Sequence, residues 1–172
     1  MIPLSPSPKF PSAELTQFIR TYLHSSSPSA STLCAASRLP HKPQKVKETH
    51  ILICSHNSRD ARCGTIGPIL RKLFTDHLEH RGLLHPENPD ISLYGKVRVG
   101  NISHIGGHRF AGNVIIYMPP EKNQNTGGKG IWYGRVEGQA DVERIVNETI
   151  LQGRVIDEFF RGGIDIKGKW PR

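Results

Sequence analysis

The sequence predicts an α/β fold, with a central mixed sheet of about four strands flanked by helices. Three observations predict it. From residue 50 onward, short β-type apolar runs alternate with segments of helical period. Glycines and prolines punctuate the boundaries between them. The resulting order is strand, helix, strand, strand, strand, helix, which fits a layered α/β domain.

Residues 51–54 are a short apolar run, read as the first strand. Residues 65–81 read as a helix: Ile66, Ile69, Leu70, Leu73 and His77 or Leu78 recur at helical spacing, Pro68 suits a first turn, and Gly82 ends it. Residues 91–99 alternate, with Leu93, Gly95, Val97 and Val99 on one face. Residues 113–118 form a more continuous apolar strand closed by Pro119 and Pro120, and 122–130 a polar loop. Residues 131–136 give another strand. Residues 141–151 give a second helix, apolar at Val142, Ile145, Val146 and Thr149 or Ile150, ending at Gly153. A short helix is expected over 155–160 with Phe159 and Phe160 docked on the core, followed by an irregular tail. A strand–helix–strand unit, then a hairpin and a terminal helix, is a thioredoxin-like arrangement.

Three regions follow: a Ser/Pro-rich basic arm and linker over 1–48, an ordered domain over 49–163 and a tail over 164–172. Within the arm, 12–23 carries a helical pattern (Leu15, Phe18, Ile19, Tyr22, Leu23) with Ser12 as N-cap, and 25–47 reads as a linker. A basic, acid-poor, Ser-rich start suits a mitochondrial transit segment and equally a flexible arm, with a cytoplasmic protein as the alternative. A secretory signal is not expected, because prolines stand at 3, 6, 8 and 11 where an apolar stretch would be needed. No apolar run reaches membrane-spanning length.

A chain of 172 residues supports one domain with a real core. Three cysteines, an odd number, argue for a reducing compartment over a disulfide scaffold. The net charge of +8 is spread along the chain, without a basic helix interleaved with aromatics. Nucleic-acid binding is therefore disfavoured, and a basic face for an acidic redox partner is compatible.

Chemistry concentrates in two pairs of residues. Cys54 and Cys63 stand nine residues apart, and His104 and His108 stand four apart around Gly106 and Gly107. Cys63 precedes the predicted helix, whose N-terminus together with Arg59 and Arg62 should stabilise thiolate sulfur. The double glycine lets the backbone approach a bulky group while both imidazoles turn inward. His56, inside the cysteine loop, is the neighbour most easily mistaken for a ligand. His24, His41, His77, His80 and His85 read as surface or linker residues, and Cys34 as a free thiol. Spacing alone leaves the metal open. Two thiolates and two imidazoles can hold zinc, although a nine-residue step is wide for a zinc finger. Rieske 2Fe–2S centres use the same donors but pair one Cys with one His in each loop. A third reading is a thiol–disulfide oxidoreductase cycling Cys54 and Cys63, which leaves the histidine loop unexplained.

Four segments carry a resemblance: 54–64 (CSHNSRDARCG), 104–117 (HIGGHRFAGNVIIY), 131–136 (IWYGRV), and 153–156 (GRVI) with Arg161 and Gly162. In this order they resemble the sucrase/ferredoxin-like family of thioredoxin-like 2Fe–2S ferredoxins. The resemblance implies a thioredoxin-like fold and a 2Fe–2S cluster held by Cys54, Cys63, His104 and His108. It implies a carrier in mitochondrial redox homeostasis more than a catalyst with its own substrate. The redox partner is unknown.

Overall fold

The computed structural model describes residues 47–84, 96–106, 108–120 and 126–165, together with Thr16 and Ile19; for Gly107 and His108 no side-chain placement is described. The chain divides into two compact units, 1–45 and 46–172. In the first, Thr16 and Ile19 are helical, in keeping with the pattern over 12–23, and the other residues of that span and of the expected linker up to residue 46 lie outside the described residues.

The second unit is a five-stranded mixed sheet, one strand more than expected. Strand β1 (Thr49–Cys54) buries Thr49, Ile51 and Ile53 on one face and Cys54 at its end. Helix α1 (Ala61–His80) follows. It starts four residues earlier than its apolar pattern implied, because Asp60 caps it: the Asp60 backbone is extended and its carboxylate accepts the Arg62 N–H at 2.9 Å. Pro68 therefore lies beyond the first turn. The buried stripe of α1 is Cys63, Gly67, Leu70, Phe74 and Leu78, while Ile69 faces solvent. Gly82, at φ 62°, ends the helix as expected.

Strand β2 (Val97–Ile102) runs three residues past its expected end, and residues 91–95 of the predicted strand lie outside the described residues. Strand β3 (Val114–Tyr117) and strand β4 (Lys129–Tyr133) form the hairpin. The β4 segment is shifted toward the N-terminus of its expected span, because Arg135 adopts φ 62° and turns the chain out of the sheet. Helix α2 (Gln139–Arg144) continues as a π-helical stretch (Ile145–Leu151). It buries Val142, Ile145, Val146, Thr149 and Ile150, as the pattern predicted.

The short helix expected over 155–160 is absent. Those residues form a turn, with the Phe160 N–H bonded to the Ile156 carbonyl at 3.1 Å. Strand β5 (Phe160–Asp165) then occupies part of the expected irregular tail. Its central glycines, Gly162 and Gly163, carry no side-chain alternation to announce a strand, and pairing with Trp132 and Ile131 supplies the order instead. Phe159 is buried and Phe160 half-buried, so both dock on the core as expected.

The sheet order is β2-β1-β3-β4-β5. Strand β1 pairs parallel with β2 and antiparallel with β3, and β3–β4 and β4–β5 are antiparallel. Helix α1 packs on β1 and β2 and against α2, so one core forms between the helices and one sheet face. A parallel β1–α1–β2 unit followed by a hairpin and a helix is the thioredoxin-like arrangement, here extended by β5. Among the described residues no helix is long and apolar enough to cross a membrane.

Candidate metal centre

The parallel pairing of β1 with β2 builds the centre. It aligns Cys54 with Ile102, so His104 emerges two residues beyond the partner of Cys54. The end of β1 is held on both sides: the Cys54 N–H donates to the Asn113 carbonyl at 3.0 Å and the Ser55 N–H to the Ile102 carbonyl at 3.2 Å. Asn113 is buried, and its side-chain oxygen accepts the Trp132 Nε1–H at 2.9 Å. Trp132 thus braces the turn that holds the end of β1, and Tyr133 is buried in the core.

Cys63 lies within the first turn of α1 and is fully buried, and Cys54 is 1% exposed. Both are free thiols. His104 is half-buried, with Nδ1 3.8 Å from Cys54 Sγ. The donor atoms of Cys54, Cys63 and His104 all lie within 4.8 Å of one another. The structure thus brings together three of the four expected ligands. The fourth, His108, opens a single 3-10 turn (His108–Phe110), and its side chain lies outside the described residues. Cys34 and His24, His41 and His85 also lie outside them. His80 is exposed and His77 half-buried on α1.

Two glycines of α1 allow the loop after β1 to press against the helix. A Cβ at Gly67 would stand 2.7 Å from the Cys54 carbonyl oxygen and 2.6 Å from Ser55 Cβ. A Cβ at Gly64 would stand 2.2 Å from Asn57 Oδ1. Sequence reasoning missed both, since their spacing reads as ordinary helix interior. It also missed the role of His56. Among the described residues that imidazole joins no donor cluster; its Nδ1 accepts the His104 backbone N–H at 3.3 Å and ties the two loops together. Asp60 pairs with Arg62 at 2.9 Å.

Electrostatics correct one expectation. The helix start and the neighbouring arginines were expected to favour the thiolate of Cys63. Its pKa is instead pushed up to about 11, first by burial, then by hydrogen bonding and charge repulsion from Cys54 and by Asp60; Arg62 opposes this too weakly. Two buried sulfurs this close cannot both carry charge without a cation between them. The donor set, two thiols and an imidazole, is one that soft and borderline metals and iron–sulfur clusters take. The residues fit such a group, which would have to displace thiol protons on binding.

Comparison with known proteins follows the same line. Residues 2–162 match the sucrase/ferredoxin-like family, so the match includes the N-terminal arm. Altered inheritance of mitochondria protein 32 of Debaryomyces hansenii is 40% identical over 154 residues, 90% of this chain and 50% of that protein. The protein of the same name from Clavispora lusitaniae is 39% identical over 166 residues, covering 90% and 54%. The chain thus spans about half the length of these curated relatives. Among solved structures, a thioredoxin-like [2Fe-2S] ferredoxin from Aquifex aeolicus superposes with a TM-score of 0.48 at 14% identity, covering 73% of this chain and 100% of that one. By the extent of the family match, the chain belongs to the sucrase/ferredoxin-like family.

Proposed function

We propose that this chain binds a 2Fe–2S cluster through Cys54, Cys63, His104 and His108 and carries single electrons in mitochondrial redox homeostasis. The observation that carries the reading is the convergence of two buried thiols and an imidazole from three separate elements, all within 4.8 Å, in a member of this family. The names of the relatives support the mitochondrial setting. When bound, such a cluster supplies one-electron transfer, and imidazole donors raise its potential relative to an all-thiolate site.

The surrounding residues prepare the site. Burial of Cys54 and Cys63 keeps water from the sulfurs. The Asp60 cap fixes the first turn that presents Cys63. The His56 bond holds the His104 backbone against the cysteine loop. The raised pKa of Cys63 weighs against the thiol–disulfide reading, because exchange needs a thiolate and this thiol stays protonated at neutral pH.

A second reading has its own support. Donors that lie within 4.8 Å also suit one tetrahedral zinc ion, whose ligands at about 2.0–2.3 Å stand close together. The ultraviolet–visible spectrum of anaerobically purified protein, with iron and sulfide quantitation, separates the two. The expected result is a coloured protein with about two irons and two sulfides per chain. A colourless protein holding stoichiometric zinc would overturn it. In the coloured protein, Cys63→Ala should abolish the visible bands.

A further inference from the structure

Three guanidinium groups gather around one ring beside the centre. Arg161 lies 4.6 Å from the centroid of Phe110, Arg135 5.1 Å and Arg109 6.0 Å. No two can be farther apart than about 11 Å, well inside the Debye length of about 30 Å at 0.01 M ionic strength, so at low salt their charges are felt together. Arg62, Arg98, Arg144 and Arg154 each have a carboxylate partner. Among the described residues, Arg109, Arg135 and Arg161 have none, and neither do Arg59, Arg71 and Arg81; what sets the first three apart is that they share one ring. Arg161 donates instead to two neutral carbonyls, of Phe160 at 2.7 Å and Glu158 at 3.3 Å, and its Nε is buried without a partner.

The fold holds this cluster in place at a cost. Arg135 is the single non-glycine residue at positive φ among those described, a conformation disfavoured for a residue with a Cβ. Its N–H is tied to the Phe110 carbonyl at 3.3 Å, and the next N–H, of Val136, to the Gly112 carbonyl at 3.2 Å. A Cβ at Gly134 would stand 2.9 Å from Phe110 Cβ, so that glycine admits the ring. The patch adjoins the centre through the backbone. Phe110 closes the turn that His108 opens, and Asn113, three residues on, accepts the Cys54 N–H.

We infer that the arginines around Phe110 form a docking surface for a carboxylate-rich face of a protein redox partner. The inference rests on the electron-transfer reading of the neighbouring centre. Like charges held together without counter-ions repel one another, and that repulsion is relieved when an acidic surface covers them. Docking here would bring the partner to the segment that begins at His108 and is hydrogen-bonded to the end of β1 that carries Cys54. A nucleic-acid strand fits less well, because the Phe110 ring on which a base would stack is already in contact with three guanidinium groups.

The test is a titration of the full chain with a poly-L-glutamate probe at low ionic strength, with a single-stranded DNA oligonucleotide of similar charge alongside. The variant is Arg109→Gln with Arg135→Gln; both side chains are exposed, and Arg161, with its structural bonds, is left in place. The control is Arg71→Gln with Arg81→Gln, two exposed arginines on and just after α1 that have no carboxylate partner among the described residues. We expect the patch variant to weaken polyglutamate binding about tenfold and the control less than twofold, the tenfold loss corresponding to about 1.4 kcal/mol. Equal losses would reduce the effect to net charge and overturn the inference, as would absence of binding by the unmodified chain. Tighter binding of the oligonucleotide, lost with the same two arginines, would reassign the surface to nucleic acid. The titration needs no cluster. Failure of the cluster reading shows instead as a colourless protein, so the two failures are distinguishable.

Discussion

Replacing Gly67 by alanine should loosen the candidate metal centre without touching a proposed ligand. In an exposed helix interior the change would favour folding by about 1 kcal/mol, since glycine is a poor helix former. At this position the new methyl would meet Ser55 Cβ at 2.6 Å, the Cys54 carbonyl at 2.7 Å and Ser55 Cα at 2.9 Å. Carbon atoms rest at about 3.5–4.0 Å, so the loop and the helix must separate by roughly 1 Å. Two of these contacts are backbone, which cannot swing aside as a side-chain tip could. Overpacking of this kind costs about 1–3 kcal/mol and should cancel or exceed the propensity gain. Separation acts directly along the line between the helix that carries Cys63 and the strand end that carries Cys54. A displacement of about 1 Å is a large fraction of the 4.8 Å that spans the donors. Urea unfolding of the metal-free protein, with metal and sulfide content of the loaded protein, reads both effects. The expected outcome is unchanged or reduced stability and at least a halving of bound metal. A variant about 1 kcal/mol more stable with full metal content would refute the reasoning, because it would mean that the helix and loop do not need their close contact.

Further outcomes follow from the same geometry. Asp60→Ala should lower stability by about 0.5–2 kcal/mol and impair loading, whereas Asp60→Asn, still a good cap but without the Arg62 ion pair, should retain most of both; equal losses in urea melts would place the effect in the ion pair. Tyr133→Phe removes an OH bonded to Thr149 Oγ1 at 2.7 Å and to the Ile156 N–H at 3.1 Å, and should cost about 1–3 kcal/mol by thermal or urea unfolding, since Ile156 N–H is left buried and unpaired. In metal-free protein, Cys63 should alkylate slowly near neutral pH, with the rate rising as pH approaches 11; a half-maximal rate near 8.5 by mass spectrometry would show an ordinary thiol. Because this pKa is raised in the fold, the corresponding share of stability is intact below the ordinary thiol range and is lost as pH climbs through about 11, which urea melts across pH 8–11 would register.

Much of the site was legible along the chain because its chemistry is local. Cysteine and histidine are few among residues able to bind soft metals, and the pairs 54/63 and 104/108 stand on loops bordered by glycine. The helix stripe of α2 and the apolar runs of β1 and β3 were equally plain, since burial of one face imposes a period on the sequence. The start of α1 was displaced because its first turn is set by the Asp60 cap, and a short polar side chain does not reveal that role until the backbone is placed. Strand β5 was hidden for the opposite reason, as glycines carry no pattern.

The sequence by itself determined the α/β order, the family and the donor types. Only the tertiary structure decided that His104 meets Cys54, through a parallel strand register linking residues fifty positions apart. It decided that Cys63 favours its proton over the thiolate, because burial and a second sulfur outweigh a nearby arginine. It also decided that three arginines from separate segments share one phenylalanine. Donor type and periodicity belong to individual residues and their near neighbours. Distance, burial and charge repulsion belong to pairs, and pairs far apart in the chain exist only once it is folded.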